Sequence, residues 1–248
     1  QAQAPTGRSR NRTVFVDAGH GGPDPGVLGI ARGGQGAFTE SAAALAVATQ
    51  LARQLRADGY RVVLSRTGDT SVRRFAAAEL ARGSLDPDQV RLDLQSRVRC
   101  ANDSHAQALV SIHFNGYGDP SVGGSQTTYD SARPFADQSE RLARSVQAAL
   151  LEQLQLQDRG VVTEDALDVP TLSDRAGSYG HLVLLGPARP GWLDRGSAMP
   201  GVLVEPLFLT APAEASIATS ASGQRRIARA LAAGVESYLD GGAARPAQ

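Results

Sequence analysis

The sequence predicts an α/β fold in which one sheet is covered by helices on both faces. Short apolar, β-branched runs alternate along the chain with longer segments of helical periodicity. Such alternation is typical of a sheet sandwiched by helices. The length of 248 residues suits one domain with a sizeable core. We therefore expect a single α/β domain.

The predicted strands are short apolar runs bounded by glycine or polar residues. The clearest run begins at Thr13, ends at Asp17 and is followed by glycines. A run of this kind is consistent with a strand that is buried on both faces. The predicted strands cover residues 13–17, 60–65, 108–113, 125–129, 181–185 and 202–205.

Four longer segments carry apolar residues at helical spacing. In residues 40–57 the leucines follow this spacing, Thr39 can cap the amino end, and Asp58-Gly59 provides a stop. The other predicted helices cover residues 92–104, 134–156 and 222–239.

Composition excludes several classes of protein. The 25 basic and 25 acidic residues give a formal net charge of zero, so we expect no nucleic-acid partner. No run approaches the roughly 20 apolar residues of a membrane span, so we expect no stable membrane insertion. The single cysteine, Cys100, cannot form an internal disulfide, and no adjacent base suggests a nucleophile.

The two ends of the chain are expected to lie outside the folded domain. Residues 1–12 are polar and rich in arginine, which predicts a disordered arm, and residues 241–248 predict a flexible tail. The domain then covers residues 13–240. The chain begins Gln-Ala-Gln-Ala-Pro, which resembles a secreted protein after signal removal or an engineered product.

Three side chains have the types and positions expected of a catalytic zinc site. His20 and His113 each follow or end a predicted strand, and Glu40 opens a predicted helix. Because ligand sites in open α/β sheets lie at the carboxyl ends of strands, we expect the two histidines at one edge. Two imidazoles and one carboxylate leave a fourth zinc position open for water, as in catalytic sites.

Glu205 is the predicted general base. It ends the apolar run 201–204, where a carboxylate costs free energy unless it is paired, hydrogen-bonded or functional. Burial there would raise its pKa toward the range useful for proton transfer. We expect Glu205 to take the proton of the attacking water. We expect Asp17 and Asp24 to form turns or to hydrogen-bond the metal ligands rather than to bind the metal themselves.

Other catalytic patterns fit the sequence less well. No Gly-Lys-Ser/Thr follows the glycines around His20, which excludes a phosphate-binding loop. The stretch Ala-Gly-Ser178-Tyr-Gly has alanine where the serine-hydrolase elbow has glycine.

The chain resembles the zinc-dependent N-acetylmuramoyl-L-alanine amidases, the type-3 amidase family of bacterial cell-wall hydrolases. The matching stretches form an ordered set between about residues 13 and 239. They are Val-Phe-Val-Asp-Ala-Gly-His20-Gly-Gly-Pro-Asp-Pro-Gly, Glu40, Arg97 with Ala101-Asn102, Ser-Ile-His113-Phe-Asn115 and Met-Pro-Gly-Val-Leu-Val-Glu205. The ordered set is specific, although no single piece is.

The resemblance implies a fold, an activity and residue roles. It implies a twisted, mixed, mostly parallel sheet, one zinc ion per chain bound by His20, Glu40 and His113, and Glu205 as the catalytic glutamate. The family cuts the amide between N-acetylmuramic acid and the L-alanine of the stem peptide. Peptidoglycan and muramyl peptides are thus the implied partners, and the implied role is cell-wall remodelling and daughter-cell separation outside the cell or in the periplasm.

Further expectations concern the substrate groove. We expect Asn115, His181 and Arg97 to contact substrate, and we expect the chain to act as a monomer. Residues 70–90, which link the segment ending at Asp69 to the helix of Arg97, are longer than the usual link in the family. Residues 157–200 form a long Gly/Pro/Asp-rich stretch. Either segment is a candidate lid or surface decoration. Pro206 stands where the family usually has glycine.

Two other functions remain open from sequence. A zinc peptidase could use the same site to cut within the stem peptide. A catalytically inactive peptidoglycan-binding module would keep the fold, but the intact set of His20, Glu40, His113 and Glu205 argues against it. The masses of the products separate an amidase from a peptidase.

Overall fold

A six-stranded sheet forms the centre of the fold. The structure is a computed structural model that describes residues 10–30, 37–80, 83–164 and 179–241. Its strands are β1 (Thr13–Ala18), β4 (Arg61–Leu64), β5 (Ala108–Ile112), β6 (Ser125–Tyr129), β7 (Asp158–Thr163) and β8 (Gly201–Glu205). They lie in the order β4-β1-β5-β8-β6-β7. Two short strands, β2 (Leu28–Ile30) and β3 (Ala37–Thr39), form a separate antiparallel hairpin.

Helices cover both faces of the sheet, as the sequence predicts. They are α1 (Glu40–Ala57), α2 (Pro87–Asp103), α3 (Ala136–Leu154), α4 (Pro212–Thr219) and α5 (Ala221–Gly241), with a short 3-10 turn at Ala77–Glu79. Helices α1, α3 and α5 pack together on one face, and α2 with residues 179–199 covers the other. Alternation along β1 sends Val14 and Val16 to the first core and Phe15 to the second.

The directions of the strands decide at which of two opposite edges of the sheet each strand has its carboxyl end. β1, β4, β5 and β8 are parallel, so their carboxyl ends meet at one edge, which we call the upper edge. β6 runs antiparallel to β8, and β7 runs parallel to β6. The carboxyl ends of β6 and β7 therefore lie at the opposite, lower edge. The five residues of β8 separate the two edges by about 13 Å.

Most predicted helices and strands are present, with small shifts at their ends. The helix predicted at 40–57 coincides with α1, and the side chain of Thr39 accepts a hydrogen bond from the backbone N–H of Ala42. The helix predicted to begin at residue 92 begins at Pro87 instead, because Asp86 caps it and proline occupies the first turn. Prediction missed β2, β3, β7 and α4.

The predicted strand 181–185 is wrong. These residues form a turn in which the N–H of Leu185 and the N–H of Gly186 both donate to the carbonyl of Leu182. The apolar side chains of residues 182–185 pack into the second core beside α2. Burial in that core accounts for the apolar run without strand pairing.

Several expectations fall on the ends and the two long segments. Residues 1–9, 165–178 and 242–248 lie outside the described residues. Arg10 is described and forms an ion pair of 2.6 Å with Asp240 at the end of α5. In the other long segment, the N–H of Arg73 donates to Asp93 of α2 over 2.7 Å. None of the helices within the described ranges has the length and apolar character needed to cross a bilayer.

Candidate metal and catalytic site

His20, Glu40 and His113 meet at the upper edge of the sheet. Nε2 of His20, Oε1 of Glu40 and Nδ1 of His113 form a triangle whose three sides are each 3.1 Å. The residues come from the loop after β1, the first turn of α1 and the end of β5. The structure thus brings together the three side chains that the sequence singles out.

The carboxylate of Glu40 is fixed on both of its oxygens. Oε1 accepts a hydrogen bond of 2.9 Å from the N–H of Phe114, and Oε2 accepts one of 2.8 Å from the N–H of Val27. Burial opposes ionisation, but the charge of His20 and the hydrogen bonds from both histidines hold the pKa of Glu40 well below its ordinary value. Glu40 is therefore an anion in this cluster.

The loop after β1 holds His20 in an unusual backbone conformation. His20 has a φ of 59°, and its carbonyl accepts a hydrogen bond of 2.6 Å from Arg97 of α2. Its Nδ1 lies 2.9 Å from Oδ2 of Asp24, which leaves Nε2 for the cluster. Burial lowers the pKa of His20, but Glu40 and Asp24 outweigh burial and raise it to about 10.

Glu205 lies beside this cluster at the end of β8. The pairing of β5 with β8 sets His113 next to Glu205, and the N–H of His113 donates to the carbonyl of Val204. Nδ2 of Asn115 donates to Oε2 of Glu205 over 3.0 Å. Burial and then the charge of Glu40 raise the pKa of Glu205 to about 7, against the opposing charges of Arg159 and His20. A carboxylate with this pKa suits proton transfer near neutral pH.

The donor set fits a divalent metal ion, and zinc in particular. Ligands bound to zinc at about 2.0–2.1 Å in tetrahedral geometry lie about 3.3 Å apart, close to the 3.1 Å sides of the triangle. A carboxylate on the second nitrogen of a ligating histidine is typical of such sites, and Asp24 provides one for His20. His20, Glu40 and His113 could therefore hold the ion.

Comparison with known proteins identifies the family of this chain. The sequence profile described as N-acetylmuramoyl-L-alanine amidase matches residues 14–237. The chain belongs to this family. It is an enzyme of the amidase class that acts on peptidoglycan of the cell wall.

Individual relatives agree with the family assignment. The chain is 31% identical to the uncharacterized protein YqiI of Bacillus subtilis over 92% of its own length and 85% of that protein. It is 30% identical to the amidase LytC of Bacillus subtilis, covering 91% of this chain but only 35% of LytC. Among solved structures, the CwlD amidase of Clostridioides difficile in complex with the GerS lipoprotein has a TM-score of 0.69 and 25% identity, covering 93% of this chain and 99% of that one.

The structure corrects the expectation for His181. This residue lies in the turn at the lower edge, where its Nδ1 is 3.0 Å from Asp130 and 3.1 Å from Glu164. Asp130 follows β6, which ends opposite Glu205 because β6 is antiparallel to β8. The prediction that His181 begins a strand and faces the site of this amidase is therefore wrong.

Arg97 is close to the site but turned away from any substrate. Its side chain is 2% exposed and forms ion pairs with Asp17 at 2.8 Å and Asp93 at 2.9 Å. It also donates to the carbonyls of Ala18 and His20. Burial rules out the predicted direct substrate contact, and Arg97 positions the loop of His20 instead. Asn115 is placed at the site through Glu205, as described above.

The roles of two arginines near the site were not predicted from sequence. Arg66 follows β4, is buried, and donates to the carbonyls of Ala18, Gly19 and Ser41, so it ties the loop of His20 to α1. The available signal was a basic residue directly after a short strand. Arg159 in β7 carries charge that lowers the pKa of Glu205, and nothing in the local sequence relates it to the site.

Proposed function

We propose that this amidase uses one zinc ion, held by His20, Glu40 and His113, to hydrolyse the amide between N-acetylmuramic acid and the L-alanine of stem peptides. The observation that carries the proposal is the triangle of two imidazole nitrogens and one carboxylate oxygen next to Glu205. The reaction consumes one water: the carbonyl carbon gains a C–O bond and loses its C–N bond.

When bound, zinc supplies a Lewis acid that lowers the pKa of a water toward ~7 and polarises a carbonyl. The protein supplies the proton transfers. Glu205 takes a proton from the attacking water and delivers it to the nitrogen of the departing L-alanine. Its pKa of about 7 lets the same carboxyl group act first as base and then as acid. Asn115 holds one oxygen of Glu205 and so orients the carboxylate.

The location and the partners follow from the substrate. We propose that the enzyme acts outside the cytoplasm, in the cell wall or the periplasm, on peptidoglycan and muramyl peptides. We also propose that it acts as a monomer in cell-wall remodelling, including daughter-cell separation. The substrate class of the family supports the location.

Mass spectrometry of the products tests the chemistry. Purified peptidoglycan fragments are incubated with the enzyme, with and without a zinc chelator. We expect free stem peptides that begin at L-alanine together with peptide-free muramic acid, and we expect both to disappear on chelation. Shortened peptides that remain attached to sugar would instead indicate a peptidase. No cleavage by the zinc-loaded enzyme would favour a binding module.

The variant Glu205→Gln tests the role of the general base. Because both proton transfers use this carboxylate, we expect kcat to fall by about 10²–10⁴-fold while zinc content is unchanged. Glu152→Gln is the matched control, since Glu152 is exposed on α3. Turnover near normal in zinc-loaded Glu205→Gln would show that another group moves the protons.

A further inference from the structure

A second group of metal-ligand side chains lies at the lower edge of the sheet. Asp130 follows β6, Glu164 follows β7, and His181 lies in the turn near residue 182. Oδ2 of Asp130 is 3.0 Å from Nδ1 of His181, and Oε2 of Glu164 is 3.1 Å from the same nitrogen. These separations match the sides of the triangle at the upper edge. We call these three residues the lower cluster.

Both carboxylates of the lower cluster are removed from water. The side chain of Asp130 is 2% exposed and that of Glu164 is 5% exposed. Two neighbouring carboxylates in such a place repel each other and lose their hydration, so they require a compensating positive charge or a proton. Burial and then the charge of Asp130 raise the pKa of Glu164 to about 9, so without a metal ion this carboxyl group keeps a proton near neutral pH.

Two oxygens of the lower cluster lack a hydrogen-bond donor among the residues that the structure describes. Oδ2 of Asp130 faces Nδ1 of His181 without the geometry of a hydrogen bond, and Oε1 of Glu164 is buried with no partner. Buried polar atoms in native proteins are almost always paired. Two such oxygens beside an imidazole nitrogen give a metal cation oxygen and nitrogen ligands, and binding of the cation would release the proton of Glu164.

The guanidinium of Arg133 does not meet this need. Arg133 lies close enough for Asp130 and Glu164 to affect its pKa, which burial nevertheless lowers. Its two terminal nitrogens donate to the backbone carbonyls of Leu185, Gly186 and Ser197, and its Nε has no partner among the described residues. Arg133 thus offsets part of the negative charge but leaves the two carboxylate oxygens unpaired.

We propose that Asp130, Glu164 and His181 bind a second divalent cation, distinct from the ion of the upper edge. One imidazole and two carboxylates suit Zn²⁺ or Mn²⁺, since imidazole favours the later transition metals and carboxylate the harder ions. The cation joins the ends of β6 and β7 to the turn at 182–185. It stabilises the fold at a distance from Glu205 and takes no part in the hydrolysis.

Metal stoichiometry in four chains tests the proposal with Zn²⁺ as the probe. The wild-type enzyme, His113→Ala, Glu164→Gln and the double variant are stripped of metal, dialysed against buffered micromolar Zn²⁺ and measured by elemental analysis. We expect two, one, one and zero equivalents, respectively. We also expect Glu164→Gln to retain wild-type amidase activity, and Glu152→Gln to retain both equivalents.

The pattern of loss separates this proposal from the proposed function. One equivalent in the wild type and none in His113→Ala would overturn the second site and leave the catalytic zinc intact. One equivalent in both the wild type and His113→Ala, with none in Glu164→Gln, would keep the lower site and overturn the zinc at the upper edge. Two equivalents in Glu164→Gln would also overturn the proposal. If circular dichroism shows that Glu164→Gln is unfolded, His181→Gln replaces it.

Discussion

Glycine at position 19 leaves room for the ring of His113. A Cβ added at this position would lie 2.4 Å from Cε1, 2.5 Å from Nε2 and 2.7 Å from Nδ1 of that ring. Gly26 is equally constrained, because a Cβ there would lie 2.5 Å from Oε2 of Glu40 and its φ is +64°. Gly19 and Gly26 therefore let the backbone approach the cluster, as well as allowing tight turns.

We expect Gly19→Ala to lower zinc affinity by at least about 10-fold, because the ring of His113 must move away from His20 and Glu40. The free energy of unfolding of the metal-free chain should fall by only about 1–3 kcal/mol, as for overpacked positions in general. Competitive titration with a chromogenic chelator measures the affinity. Gly68→Ala is the control, since no atom lies within 4 Å of a Cβ there. Unchanged affinity in Gly19→Ala would mean that the contact with His113 does not constrain the site.

At the scale of elements, α2 is attached to the end of β1 through one buried ion-pair network. Arg97 joins Asp93 of its own helix to Asp17 of β1, and Asp17 also accepts a hydrogen bond from Ser111 of β5. Burial raises the pKa of Asp17, but the charge of Arg97 and the hydrogen bonds from Ser65 and Ser111 outweigh it and lower the pKa to about 2. The network fixes the position of the end of β1 and therefore that of His20, which follows it.

We expect Arg97→Gln to reduce stability by about 3–5 kcal/mol, because it leaves two buried carboxylates without their cation. The pH dependence should also change. A depressed pKa stabilises the native state above the ordinary value of about 3.9, and this contribution is lost as pH falls through about 2. The wild type should therefore lose stability between about pH 4 and pH 2, and the variant should show a weaker slope there.

Urea unfolding of the metal-free chains at pH 2.5, 3, 4 and 5 measures this slope. Arg99→Gln is the control, since Arg99 lies on the exposed side of the same helix and donates only to Ser96 among the described hydrogen bonds. Glu40 also has a depressed pKa and contributes to the same window in every chain. Equal slopes in the wild type and in Arg97→Gln would show that Asp17 does not depend on Arg97 for its ionisation.

Across the whole molecule, the sequence predicts secondary structure best for strands that are buried on both faces. The runs at β1, β5 and β8 are apolar because helices cover both faces, and they place His20, His113 and Glu205 at one edge. β7 escaped prediction because it is an edge strand with a polar, partly exposed sequence. Residues 181–185 were predicted as a strand because a short turn buried in a core is as apolar as a short buried strand.

The sequence does not determine whether β6 runs parallel or antiparallel to β8. Residues 125–129 predict a strand, but the same residues can pair with β8 in either direction, and the choice decides which edge Asp130 reaches. The antiparallel choice carries Asp130 and, through β7, Glu164 to the lower edge, where His181 of the turn meets them. Arg97 was misread for a related reason, since sequence does not show that Asp17 and Asp93 enclose its charge.

The whole fold also couples metal binding to protons. In the metal-free chain, burial disfavours the charged form of His20, but Glu40 and Asp24 raise its pKa to about 10, so this imidazole is protonated at neutral pH. A raised pKa stabilises the metal-free fold below the ordinary value of about 6.5, and that contribution is lost as pH rises through about 10. Zinc requires the neutral ring, so binding must release a proton.

We therefore expect the rise in Tm caused by zinc to grow with pH. Each pH unit below the pKa of His20 weakens apparent zinc affinity by up to about 10-fold, or about 1.4 kcal/mol. At saturating zinc this corresponds to roughly 3–6 °C in Tm per pH unit for a chain of this size. Scanning calorimetry at pH 6, 7 and 8, with free zinc held constant by a metal buffer, measures the difference between loaded and metal-free enzyme. The Glu164→Gln background removes any contribution of the lower cluster. A zinc-induced shift that stays constant or shrinks between pH 6 and pH 8 would mean that His20 is already neutral before the metal binds.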